Sequence, residues 1–262
     1  MKKQPVVTWF KQRKIATIVI DNPPVNVLSG DVILQLAEVI GEIEADESIS
    51  VVILTGGGEK MFVAGGNIKE FPDWTGKGVD YAKEKSLGLQ HPLNKLERLA
   101  VPTIAALNGS ALGGGCELAM SCDLRIAEEQ IQIGLPEITL GLFPGAGGTQ
   151  RLPRLVGKAK AKELIFTGRL LLADEAMATG LVTKIVGEGE SMNVALQLAE
   201  KISSFSKEAL LFAKKSIDDG YELSLADGLQ LEAKNFGHVF QTENVKVGIN
   251  AFIEKQKPNF NS

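Results

Sequence analysis

Ser50-Val51-Val52-Ile53-Leu54-Thr55 is an almost unbroken apolar run, stopped by Gly56-Gly57-Gly58. A strand with one wet face alternates apolar and polar side chains, so a run without alternation reads as a strand covered on both faces. That requirement points to a sheet layered with helices. The neighbouring segments supply such layers. Ile15 to Ile20 reads as a strand closed by Asp21-Asn22-Pro23-Pro24, because consecutive prolines cannot continue a ladder. Asp31 to Ile43 carries Val32, Leu36, Val39, Ile40 and Ile43 at helical spacing. Val101 to Leu107 is a third strand, leading through Asn108-Gly109 and a glycine run into a helix over Cys116 to Ser121, and Asp123 to Ala127 is a fourth. The expected class is α/β, built from successive β-β-α turns.

From about residue 158 the strand signals nearly vanish. Ala159 to Thr167, Ala173 to Thr179, Met192 to Ser203, Lys207 to Asp218, Leu223 to Phe240 and Val245 to Glu254 read as helices, separated by Gly168, Gly180, Gly220 and short polar joints. The chain is accordingly divided into a core, residues 1–195, and a helical region, residues 196–262. Apolar helix faces left over after the core is covered point to contacts between subunits.

The charge balance narrows the possible partners. A net charge of −4 and a pI of about 5.4 give no global basic field to attract nucleic acid or an anionic membrane. The one local basic cluster, Arg151, Arg154, Lys158, Lys160 and Lys162, reads as a solvated helix face or a subunit contact. The opening run Val6 to Phe10 is too short for a signal-peptide core, and no uncharged apolar stretch approaches the ~20 residues that span a bilayer. Cys116 and Cys122, six apart in one helical pattern, read as buried reduced thiols of a cytoplasmic protein. The only histidines, His91 and His238, are far apart in sequence, which argues against a histidine triad or a metal site.

Two glutamates twenty positions apart carry the chemical signal. Glu117 follows Gly113-Gly114-Gly115-Cys116, and Glu137 follows Gly134-Leu135-Pro136. Carboxylates held close together in an apolar cleft have their pKa values pushed apart, so that one can activate water while the other delivers a proton. Glycine loops surround them. In Met61-Phe-Val-Ala-Gly-Gly-Asn67-Ile-Lys-Glu70 the glycines leave backbone N–H groups open, and Asn67 with Glu70 fits a capping box. This loop and the loop before Glu117 together supply two backbone donors, the minimum for holding an oxygen that gains charge.

These residues match a known pattern. Asn108-Gly-Ser-Ala-Leu-Gly-Gly-Gly-Cys-Glu-Leu-Ala-Met, Gly134-Leu-Pro-Glu and Pro144-Gly-Ala-Gly-Gly-Thr-Gln-Arg-Leu occur in the order and spacing of the enoyl-CoA hydratase (crotonase) family, which the chain resembles along nearly its whole length. The resemblance implies a spiral of β-β-α turns, a C-terminal helical region that builds a homotrimer or a dimer of trimers, and an acyl-CoA thioester as substrate. It implies no separate cofactor, since coenzyme A is part of the substrate. It assigns Ala64 and Gly114 as oxyanion-hole donors, Glu117 as the group that activates the water added at C3, Glu137 as the source of the C2 proton, and Gly145 as a water-positioning N–H. It gives the CoA moiety to Ala64, Gly65, Gly66, Asn67, Ile68 and Lys69, with Phe252 and Lys255 approaching the nucleotide across a subunit boundary.

The chain departs from that pattern in two places. Asn67 stands where the family usually has aspartate, and Asp21 to Leu28 lacks the basic residue that many relatives place before this turn, a variation resembling the hydratase part of multifunctional β-oxidation proteins. Retention of both glutamates favours a hydratase, with isomerisation by the same pair as the alternative. A non-catalytic CoA-ester binder or an RNA-associating relative is the alternative from another class; the acidic pI and the two acids weigh against it.

Overall fold

The structure is a computed structural model describing residues 4–260, so Met1 to Lys3 of the N-terminal segment and Asn261 and Ser262 of the helical region lie outside it. The hairpin β1 (Val7–Gln12) and β2 (Ile15–Ile20) opens a six-stranded sheet. It continues in parallel through β3 (Val51–Gly56), β5 (Thr103–Leu107), β7 (Leu124–Glu128) and β10 (Lys184–Val186). A second sheet of short strands stands beside it in the order β4 (Met61–Val63), β6 (Ser110–Leu112), β8 (Gln132–Gly134) and β9 (Leu171–Leu172), with only β9 antiparallel. The chain passes repeatedly from the large sheet to the small one and then to a helix: β3, β4 and α2 (Val79–Glu97), then β5, β6 and α3 (Gly114–Met120). This is the expected spiral of β-β-α turns.

β3 lies at the centre because every one of its residues is buried. Val52 and Leu54 face the main core, packed with Val32, Leu36 and Ile40 of α1 (Gly30–Ala45). Val51 and Ile53 face the opposite way, into a second cluster with Ala195 and Ala199 of α7 (Ser191–Ser203). Each such aliphatic side chain withdrawn from water contributes about 1.5–3 kcal/mol, so covering both faces of this strand is a large share of what orders the sheet.

Several sequence expectations are corrected. β4, β6, β8, β9 and β10 are two or three residues long, too short to display a period, and β9 and β10 fall in the region read as helical. The boundary at 195 cuts through α7, which belongs with the core because both of its alanines, Ala195 and Ala199, lie under the large sheet; the helical region begins after Ser203. Gly220 does not separate two helices. It lies inside α8 (Lys207–Tyr221), where a Cβ on Gly228 of α9 (Leu225–Val239) would sit 3.3 Å from its carbonyl oxygen, so the glycine pair permits close helix contact. Ser224, whose hydroxyl accepts from Asp227 N–H, starts α9. α10 (Glu243–Ile253) closes the described chain, and none of the described helices is long and apolar enough to cross a membrane.

Candidate active site

The loop Ala64 to Asn67, between β4 and a 3-10 turn over Ile68–Trp74, is held by its backbone. Ala64 N–H donates to Val25 O at 3.1 Å, and Leu28 N–H donates to Gly65 O at 2.7 Å. In a trans peptide the N–H points opposite to the C=O. Pinning Gly65 C=O to Leu28 therefore turns Gly66 N–H away from Leu28, and no protein acceptor for it is seen among the described residues. Gly65 at φ +100° permits this bend.

Facing that loop is the start of α3. A Cβ on Gly115 would fall 2.0 Å from Val63 O, so glycine is what allows the helix to begin against β4. Gly114 is the first helical residue, and its N–H has no acceptor within the helix. A Cβ on Gly114 would lie 3.4 Å from Gly66 N, and one on Gly65 would lie 3.4 Å from Gly114 N. The free donors that converge are those of Gly66 and Gly114. Ala64 is corrected here: its N–H is spent on Val25.

Glu117, one turn into α3, is 2% exposed, and its Oε1 accepts from Ala146 N–H at 2.8 Å and Gly148 N–H at 2.7 Å. Burial pushes its pKa up, while these two bonds and the Arg151 guanidinium pull the other way. Glu137 opens the 3-10 turn Glu137–Leu140 directly after Pro136, and its Oε1 lies 3.0 Å from where a Cβ on Gly113 would sit. Its Oε2 is buried with no hydrogen-bond partner. Burial first, with the Glu117 charge adding to it, pushes its pKa up to about 7. Burial raises both carboxyls, but Glu117 has donors that favour its anion, whereas one oxygen of Glu137 has no partner.

Gly145 lies in the turn before α4 (Gly148–Val156), and its carbonyl belongs to the peptide whose Ala146 N–H binds Glu117. Asn67 and Glu70 do meet, but not as a capping box. Asn67 Nδ2 donates to Glu70 Oε1 at 2.7 Å and caps no backbone N–H. Ile68 and Lys69 are exposed beside them. Phe252 is 85% exposed at the end of α10, and Lys255 lies just beyond; no hydrogen bond or ion pair among the described residues joins either to the glutamate loops. Arg151 is not a solvated cation: it is buried, paired with Glu97 at 2.7 Å, and donates to Ala146 O at 3.1 Å. No local pattern marks it, because its partners Asn94 and Glu97 are more than fifty positions away.

A cavity of about 370 Å³ adjoins Gly66, walled by Leu28, Ile33, Phe71, Trp74, Tyr81 and Leu89. A larger cleft of about 1150 Å³ lies between α2, α4 and α8, with charged side chains such as Arg98, Arg154, Lys215 and Asp219 in its wall; Glu117 and Glu137 line neither cavity. The smaller, more apolar cavity, which reaches Gly66, is the one suited to an acyl group.

The family model described as enoyl-CoA hydratase/isomerase matches residues 11–262. The chain belongs to this family. It is similar to a short-chain-enoyl-CoA hydratase of Clostridium acetobutylicum, with 46% identity over 248 residues that cover 94% of each chain. It is also similar to a crotonyl-CoA hydratase of Syntrophomonas wolfei, with 39% identity over 251 residues and 95% of each chain. Among solved structures, an enoyl-CoA hydratase from Bacillus anthracis superposes with a TM-score of 0.91 at 38% identity, covering 97% of this chain and 98% of that one. One from Geobacillus kaustophilus HTA426 reaches 0.94 at 31% identity, covering 99% and 98%. The family's glycine-rich and glutamate motifs lie folded against one another.

Proposed function

We propose that the protein adds water reversibly across the double bond of a trans-2-enoyl-CoA, giving a 3-hydroxyacyl-CoA, as a hydro-lyase of acyl-CoA catabolism. The thioester oxygen lies between Gly66 N–H and Gly114 N–H, where charge drawn onto it as the enolate forms is stabilised. Glu117, ionised, takes a proton from the water that attacks C3, with Gly145 N–H orienting that water. Glu137, protonated, gives its proton to C2. One proton then returns from Glu117 to Glu137 and the pair is reset. The acyl group occupies the cavity walled by Phe71, Trp74 and Tyr81. The CoA arm runs over Ala64 to Lys69, and Phe252 and Lys255 of a second copy close over the nucleotide.

The observation that carries this reading is the contrast between the two buried acids: Glu117 holding two N–H donors, Glu137 holding an orphan oxygen. Incubation with crotonyl-CoA in oxygen-18 water, followed by mass spectrometry, tests it. The label is expected in 3-hydroxybutyryl-CoA. A displaced double bond without label would convert the assignment to an isomerase, and unchanged thioester over several chain lengths would leave only a binder.

A further inference from the structure

Ser86 and Gln90 of α2 are one helical turn apart and reach the same atom. Ser86 Oγ donates to Gly145 O at 2.7 Å and Gln90 Nε2 donates to it at 3.0 Å, while Gln90 Nε2 also lies 3.2 Å from Ser86 Oγ. Gly145 C=O and Ala146 N–H belong to one peptide group, and that N–H donates to Glu117 Oε1 at 2.8 Å. Because the group is planar and trans, its two ends cannot turn independently. Fixing the carbonyl fixes the direction of the donor that grips the carboxylate. Arg151 restrains the next peptide through Ala146 O, so the Glu117-binding loop is held from α2 and α4 together.

On the hydratase reading of the site, we propose that Ser86 and Gln90 are positioning residues for Glu117, acting through the Gly145–Ala146 peptide. The placement of α2 gives the link a further use. Tyr81, Lys85 and Leu89 line the cavity from the adjacent stripe of the same helix. The element that meets the acyl group therefore also sets the angle of the carboxylate. An acyl group that displaces α2 disturbs the grip on Glu117, so pocket fit is transmitted to the chemical step and not to binding alone.

Ser86 and Gln90 are partly exposed, so replacing them leaves the buried core intact. Ser86→Ala combined with Gln90→Leu removes both donors, and Ser86→Thr with Gln90 retained keeps a hydroxyl at the same place. For the double variant the expected result is kcat on crotonyl-CoA lowered about tenfold with KM changed by less than about twofold, the pattern of a lost transition-state interaction. The acid limb of its kcat profile moves to higher pH, because the Ala146 bond that favours the Glu117 anion is weakened while Arg151 and Glu137, the charged groups facing Glu117 from α4 and from its own turn, remain. Ser86→Thr restores both. Hydrogen exchange at the Ala146 amide accelerates in the double variant, a readout that does not depend on turnover. Unchanged kcat, pH profile and exchange would overturn the link. Faster exchange in a protein whose wild type hydrates no enoyl-CoA would support the link and refute the reaction.

Discussion

Glu137 is the residue on which the chemistry and its cost meet. Its pKa near 7 means that the protonated form is lost as pH rises through neutrality, so kcat for hydration is expected to decline above about pH 7; a stopped-flow profile from pH 5 to 9 checks this. The same shift has a stability sign. A carboxyl whose folded pKa is raised contributes stability that is fully present below its unfolded value of 4.5 and is lost as pH rises through about 7. Glu137→Gln is therefore expected to raise Tm at pH 8 and to have little effect at pH 4, while abolishing most activity. Equal Tm differences at both pH values would contradict the buried, unpartnered carboxyl. The glycine donors separate in the same way. Gly66→Ala keeps its N–H and meets the edge of the Phe71 ring at 3.4 and 3.7 Å, so it should cost less than about tenfold in kcat; Gly114→Ala brings a methyl to 3.0 Å from Leu28 Cδ1 and 3.4 Å from Gly66 N and should cost about a hundredfold. A larger loss for Gly66→Ala than for Gly114→Ala would refute this placement of the oxyanion. At this scale the sequence marked both acids and Gly114 but named Ala64 for the second donor. Which of three adjacent N–H groups is free depends on Val25 and Leu28, residues more than thirty-five positions earlier, and no motif displays that.

Among the elements, the junction of β6 and α3 is the least forgiving. Gly115 abuts Val63, whose carbonyl oxygen would lie 2.0 Å and carbonyl carbon 2.7 Å from an added Cβ, and backbone atoms this close cannot swing aside as a side chain could. Gly115→Ala is expected to destabilise the fold by about 2 kcal/mol or more, read as a lowered urea midpoint, whereas Gly58→Ala, at an open position but with φ +76°, should cost only about 1 kcal/mol. The long parallel strands were legible because burial on both faces leaves an apolar run that survives in the one-dimensional pattern. The small sheet was not. Met61 to Val63 and Ser110 to Leu112 owe their pairing to neighbours brought in by the large sheet, and three residues hold no period of their own. The same limit explains the misplaced capping box: Asn67 and Glu70 have the right spacing, but a 3-10 turn brings their side chains to each other instead of to the backbone.

At the scale of the whole molecule, the last three helices keep little to themselves. α8 and α10 contain no buried residue and α9 buries only Asn235, while Phe236, Leu225, Phe252 and Ile253 are exposed. Apolar surface of this extent on terminal helices fits a contact between copies. Sedimentation should give a mass three or six times 28.1 kDa, and Phe252→Glu should weaken assembly and raise KM for CoA esters together; a monomeric wild type would contradict it. The helical region was legible as helices, while its boundary was not, because α7 and α8 both read as amphipathic helices and what sets α7 apart is the packing of Ala195 and Ala199 under the large sheet. The proposed hydration rests on Glu117 and Glu137 acting together. Loss of the conjugated-thioester absorbance of crotonyl-CoA, compared for wild type, Glu117→Gln and Glu137→Gln, measures it most directly. Wild type is expected to remove the absorbance rapidly and each variant about a hundredfold or more slowly; wild-type rates in either variant would show that the two acids do not share the chemistry.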